Sequence, residues 1–160
     1  MPDIFKRLLI TNGPIATIFI RVAVGSVFLS EGIQKFLYPA ARGVGRFERM
    51  GYEAAELIAP FVGVFEILCG ALILVGLFTR YAAIPIIIIM LTAIVTTKIP
   101  ILLGEDFLGF KVRELSTYGF WSMAHESRTD FSMLMGALFL LVVGGGRGSA
   151  DKVLFKDESV

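Results

Sequence analysis

Four apolar runs, at residues 15–37, 57–78, 81–103 and 131–146, dictate what this chain can fold into. A helix over the second run would be about 33 Å long, enough to cross a hydrocarbon layer of about 30 Å. In lipid every backbone polar group needs an internal partner, so only helices or closed barrels can span. The runs lack the two-residue alternation of barrel strands. The sequence therefore predicts an all-α fold, a four-transmembrane-helix bundle forming a single membrane domain over residues 1–160. The fourth run gives only about 24 Å of helix and must borrow its flanks or thin the bilayer.

Composition agrees and removes several classes of function. Hydrophobic residues make up 56% of the chain and charged residues 18%, more apolar side chain than a soluble domain of 160 residues can cover. A net charge of +1 offers no basic excess for phosphates, so no nucleic-acid partner is expected. Cys69 and His125 are each the only residue of their type, which rules out an internal disulfide and a multi-histidine metal site. The Gly144-Gly145-Gly146 run follows an apolar helix and is no phosphate cradle. No tightly bound cofactor is expected. A quinone, which needs no coordinating residue, is the one redox cofactor the composition leaves open. Lys6 and Arg7 are followed by Asn12-Gly13-Pro14 and by Arg21, a pattern unlike a cleaved signal peptide.

Two long connections are expected on one membrane face, as interfacial loops or short helices. Residues 38–56 place Phe47, Met50 and Leu57 on one side of a short interfacial helix. Residues 104–130 hold Phe107, Phe110, Tyr118, Phe120 and Trp121, a density that suits an interfacial lid or an aromatic belt. A tight turn at Thr79-Arg80 makes the second and third spans antiparallel. Basic residues close to the span ends, Lys6, Arg7, Arg80, Arg147, Lys152 and Lys156, favour cytoplasmic termini.

Ionisable residues inside spans are costly and ordinarily face the bundle interior, and this chain has five: Arg21, Glu31, Lys35, Glu66 and Lys98. Arg21, Gly25, Phe28, Gly32 and Lys35 recur every three or four residues, one stripe of small and charged positions suited to close packing. Glu31 and Lys35 are one turn apart and within reach of each other. Glu66 lies near the midplane, and Lys98 is close enough to an end to snorkel. Depth places Glu31, Lys35 and Lys98 toward the face of the long connections, with Glu66 below them, a polar pocket that opens toward that face and is floored by Glu66. A charge network that only fixes helix register accounts for the same residues. Cys69 reads as core packing and His125 as a surface histidine.

The first span reads Arg21-x3-Gly25-x2-Phe28-x3-Gly32-x2-Lys35, and the second Glu66-x3-Gly70-x3-Leu74-x-Gly76-Leu77-x-Thr79-Arg80. Gly144-x-Gly146-x2-Ser149-x-Asp151 follows the fourth. In this order, across four apolar spans, they resemble the DoxX family. The resemblance implies a four-helix protein of the bacterial inner membrane, tied in some relatives to quinone-linked sulfur oxidation and to membrane oxidoreductase complexes. It points to Arg21, Lys35, Glu66 and Arg80 as site positions. With Glu31 these five form the expected ligand or proton pocket, with no catalytic residue of its own. The function expected is an accessory subunit beside an oxidoreductase partner in the lipid bilayer, binding a quinone headgroup or relaying protons. A small-molecule or ion transporter and a structural assembly protein are the rivals, and a homodimer is a further arrangement to consider.

Overall fold

The computed structural model describes residues 9–155. Lys6, Arg7 and Lys156, used above for orientation, lie outside that range. The chain is all helical apart from one isolated bridge between Phe107 and Phe110 among the described residues. Helix α1 spans Thr17–Leu37, α2 Val44–Arg49 and α3 Ala55–Val75. Helix α4 spans Thr79–Ala93, passes through a π turn at Ile94–Lys98, and continues as α5, Ile99–Leu103. Helices α6, Phe120–Val143, and α7, Ala150–Leu154, complete the described residues.

Three segments are long and apolar enough to cross a membrane: α1, α3 and the continuous 25-residue stretch Thr79–Leu103. Helix α6 has 24 residues, but its first half carries His125, Glu126, Arg128 and Asp130. Here the structure corrects the sequence reading. Residues 120–130, expected in a separate connection of interfacial loops or short helices, belong to one continuous helix with residues 131–143, and residues 144–146 lie beyond its end. The second span stops at Val75 because Gly76 takes a left-handed conformation, φ 74°, and closes the last turn. The turn is therefore Gly76–Phe78, and Thr79 and Arg80 open the next helix. Leu57 also departs from expectation: it belongs to α3 and is exposed, while Phe47 of α2 is buried.

Helix α1 packs most intimately on α3, and α4 on α6. The α1 stripe is buried as its spacing predicts, from Arg21 through Gly25, Phe28 and Gly32 to Lys35. Small residues bring the two backbones together, since a methyl group on Gly70 would lie 2.6 Å from the Leu29 nitrogen. One on Gly32 would lie 2.7 Å from the Gly63 carbonyl oxygen. Around this seam Val24, Phe28, Ile73, Ile86, Leu134 and Leu140 form the apolar core, with Cys69 among them. Large apolar side chains point outward instead, Leu57 and Val142 each at 76% exposure, as a lipid-facing surface requires. The π turn sits just before Pro100, which has no N–H to give; Thr96 and Thr97 hydroxyls donate back to the Thr92 and Ala93 carbonyls there.

Gly70→Val should force α1 from α3 and lower stability by about 1–3 kcal/mol, the usual cost of overpacking. Denaturant titration of the micellar protein would show it, and an unchanged midpoint would contradict the close seam.

Candidate functional site

The polar residues separate into two layers at opposite ends of the helices. At the end near the termini, Arg21 is buried on α1 and points at the end of α3. Its Nε donates to the Ile73 carbonyl at 2.9 Å and its Nη2 to that of Leu74 at 2.5 Å. Its Nη1 donates to Gly148 at 2.8 Å and to Gly145 at 3.3 Å. The last carbonyls of any helix have no intrahelical donor and carry the negative end of the helix dipole, so a guanidinium is well matched to them. Gly76 must be glycine here for a second reason: a methyl group on it would lie 2.5 Å from the Arg21 guanidinium carbon.

Arg80 does the same for α6, donating to the carbonyls of Leu141, Val142 and Val143 and to that of Ile10. The Thr11 hydroxyl adds a further bond to Val143 and accepts one from the Gly146 N–H. Asp151, buried on α7, covers the opposite polarity: its carboxylate accepts from the backbone N–H groups of Phe78 at 2.7 Å and Thr79 at 3.0 Å, where α4 begins. The short α7 is itself capped by Ser149, whose hydroxyl accepts from the Lys152 N–H.

At the end near the long connections, the Lys35 ammonium pairs with the Glu66 carboxylate at 2.5 Å. The lysine side chain is 8% exposed and the carboxylate 5%, held between α1 and α3 where Gly32 and Gly63 admit the close approach. Glu66 lies near the middle of α3. Glu31 does not pair with Lys35 as its spacing allowed; it faces Arg42 at 3.9 Å at the exposed rim. Lys98 has a partner that its sequence position did not suggest. It pairs with Asp130 of α6 at 2.9 Å, its side chain only 13% exposed.

Of the five expected pocket residues, the structure thus brings Lys35 and Glu66 into contact and leaves Glu31 beside them at the rim. Arg21 and Arg80 are elsewhere: fourteen residues along α1 separate Arg21 from Lys35 by about 21 Å of helix. Two surface cavities lie away from the pair. One of about 430 Å³ is bordered by Leu115, Trp121, His125 and Glu126. The other, of about 570 Å³, follows the outer face of α1 past Ser26, Ser30 and Gln34. His125 is exposed beside Arg128, and Cys69 is buried in the core, both as read from sequence.

Asp151, Thr11 and Asp130 are among the polar residues that the sequence reading did not assign to a site. Asp151 stands within the quoted C-terminal motif and could have been found there. Asp130 directly precedes an apolar run, where a carboxylate within helix and one within loop look alike.

The sequence matches the DoxX family over residues 16–99. It is also 54% identical over 152 residues to an uncharacterized membrane protein of Mycobacterium tuberculosis, covering 95% of this chain and 89% of that one. No solved structure matches.

Removing one partner of a buried pair strands the other charge. Lys35→Met should cost about 3–5 kcal/mol, whereas Lys35→Met with Glu66→Leu should recover most of it. Arg21→Lys should lose about 2–4 kcal/mol, because one ammonium cannot reach carbonyls on both α3 and the Gly145–Gly148 loop. Unfolding midpoints in one detergent would check all three variants, and a double variant no better than Lys35→Met would refute the pairing.

Proposed function

We propose that this chain, which belongs to the DoxX family of membrane proteins, is an accessory membrane subunit of a quinone-linked oxidoreductase system, in which Lys35 and Glu66 relay a proton. One observation carries this reading: a carboxylate near the middle of a membrane helix, almost wholly shielded, with a single ammonium in contact. Such a residue is expensive to place and is characteristic of proton paths and ligand sites. Arg21 and Arg80 support a different role, because their donors serve helix-end carbonyls. Their part in the protein is assembly, and the pocket contracts to Lys35 and Glu66 with Glu31 at its rim.

A quinone headgroup at this chain would be recognised through Lys35, which keeps N–H groups beyond its bond to Glu66. The placement that goes with this role is the bacterial inner membrane, with termini in the cytoplasm and α6 as a fourth span. Support for that span comes from the packing of α6 along α4 and from the Lys98–Asp130 contact. An oxidoreductase subunit is the partner this reading requires, and a homodimer is compatible with it.

Glu66→Gln should abolish quinone reduction coupled to the partner in membrane vesicles while the protein remains inserted at its usual level. Undiminished reduction would eliminate the proton role. Native mass spectrometry of gently extracted protein should show a bound quinone that Lys35→Met loses; a quinone retained in that variant would place the headgroup elsewhere.

A further inference from the structure

The two helical hairpins, α1 with α3 and α4–α5 with α6, repeat one arrangement in the same order. Each begins with an arginine in the first turns of its first helix, Arg21 or Arg80. Each arginine donates to the final carbonyls of its hairpin's second helix, 52 and 53 residues on in one case and 61 to 63 in the other. Near the far end of the first helix stands a lysine, Lys35 or Lys98, paired with a carboxylate on the second helix, Glu66 or Asp130. The lysine and its acid are 31 residues apart in the first hairpin and one more in the second.

The connections match as well. Each first helix leads into a long connection, and the two connections meet. The Lys111 N–H donates to the Met50 carbonyl, and the Tyr52 and Phe110 rings are 5.0 Å apart. Gly51 and Gly109 come together there with φ of 93° and 85°. Because both first helices run in the same direction, the halves form a parallel repeat about an axis along the membrane normal, a layout used by several transport proteins. Four local features falling at corresponding places are hard to obtain from two unrelated hairpins.

We infer that the chain is a duplicated charged hairpin and that Lys98 and Asp130 form a second proton site, the counterpart of Lys35 and Glu66. This inference rests on the proton reading of Glu66 for its chemistry, and on the repeat for its place. The second pair is the more open one, with side chains 13% and 23% exposed against 8% and 5%. Asp130 is faced by Lys98 across the helix contact. On its own helix, Glu126 is held by Arg113 at 3.0 Å and Arg128 lies against His125 at 3.0 Å. A proton arriving from water on the long-connection side adds to the Asp130 carboxylate, leaves Lys98 an ammonium, and departs to water by the same side; no other bond changes.

Dicyclohexylcarbodiimide, an apolar reagent that adds to protonated carboxyl groups, tests this on the full chain in liposomes, read by mass spectrometry of its peptides. Adducts are expected on both Glu66 and Asp130, with Asp130 the faster. Asp130→Asn should remove its adduct and leave that on Glu66, while Asp130→Glu, which keeps the pair, should still react. Labelling of Glu66 with Asp130 silent would overturn the second site alone. Labelling of Asp130 with Glu66 silent would sustain it and overturn the proton reading of Glu66, and silence at both would overturn both.

Discussion

A helix that ends inside packed protein leaves its last carbonyls without partners, and this fold depends on how two such ends are closed. A carbonyl shut away from water without a donor would cost about 1–3 kcal/mol. Arg21 closes the end of α3 and Arg80 the end of α6, and each reaches there from a different helix. Closure of a helix end is therefore also attachment of two helices. Asp151 adds the opposite sign at the start of α4, tying α7 to the turn between α3 and α4. Local backbone chemistry and tertiary structure are decided by the same side chains.

The glycines follow from the same geometry. For Arg21 to reach the Ile73 and Leu74 carbonyls from α1, the two backbones must run close together, and Gly25, Gly32, Gly63 and Gly70 permit it. Close backbones in turn leave little room around Lys35 and Glu66, so the ammonium and carboxylate meet directly. Desolvation makes such a pair weak evidence for stability, because well-packed apolar residues often do as well. The arginines differ on this point: their acceptors are backbone carbonyls, which no substitution removes. An assembly role fits the arginines better than the lysine–carboxylate pair.

Much of this was legible in the sequence because lipid narrows the choices. Spanning length and charge depth located α1, α3 and the Thr79–Leu103 stretch to within a few residues, and the stripe from Arg21 to Lys35 is buried as its period required. What the sequence did not disclose was pairing across helices. Glu31 and Glu66 both offered Lys35 a partner, one by helical spacing and one only through packing, and packing prevailed. Asp130 was hidden for a related reason: hydropathy falls at residues 120–130, and polarity alone does not distinguish a loop from a helix that turns those side chains toward Lys98.

The family pattern then divides by layer. Gly76, Arg80, Gly144, Gly146, Ser149 and Asp151 all lie in the layer near the termini, where positive φ, capping and carbonyl closure explain each choice of residue; Thr79 lies there too, giving only its backbone N–H to Asp151. Lys35 and Glu66 lie in the other layer, and no backbone requirement calls for them. A bundle needing only register could place leucines there. Residues that closure of the backbone does not require, and that burial penalises, are where chemistry is to be sought. The lysine–carboxylate layer meets both conditions and the arginine layer does not, although the arginines carry more hydrogen bonds.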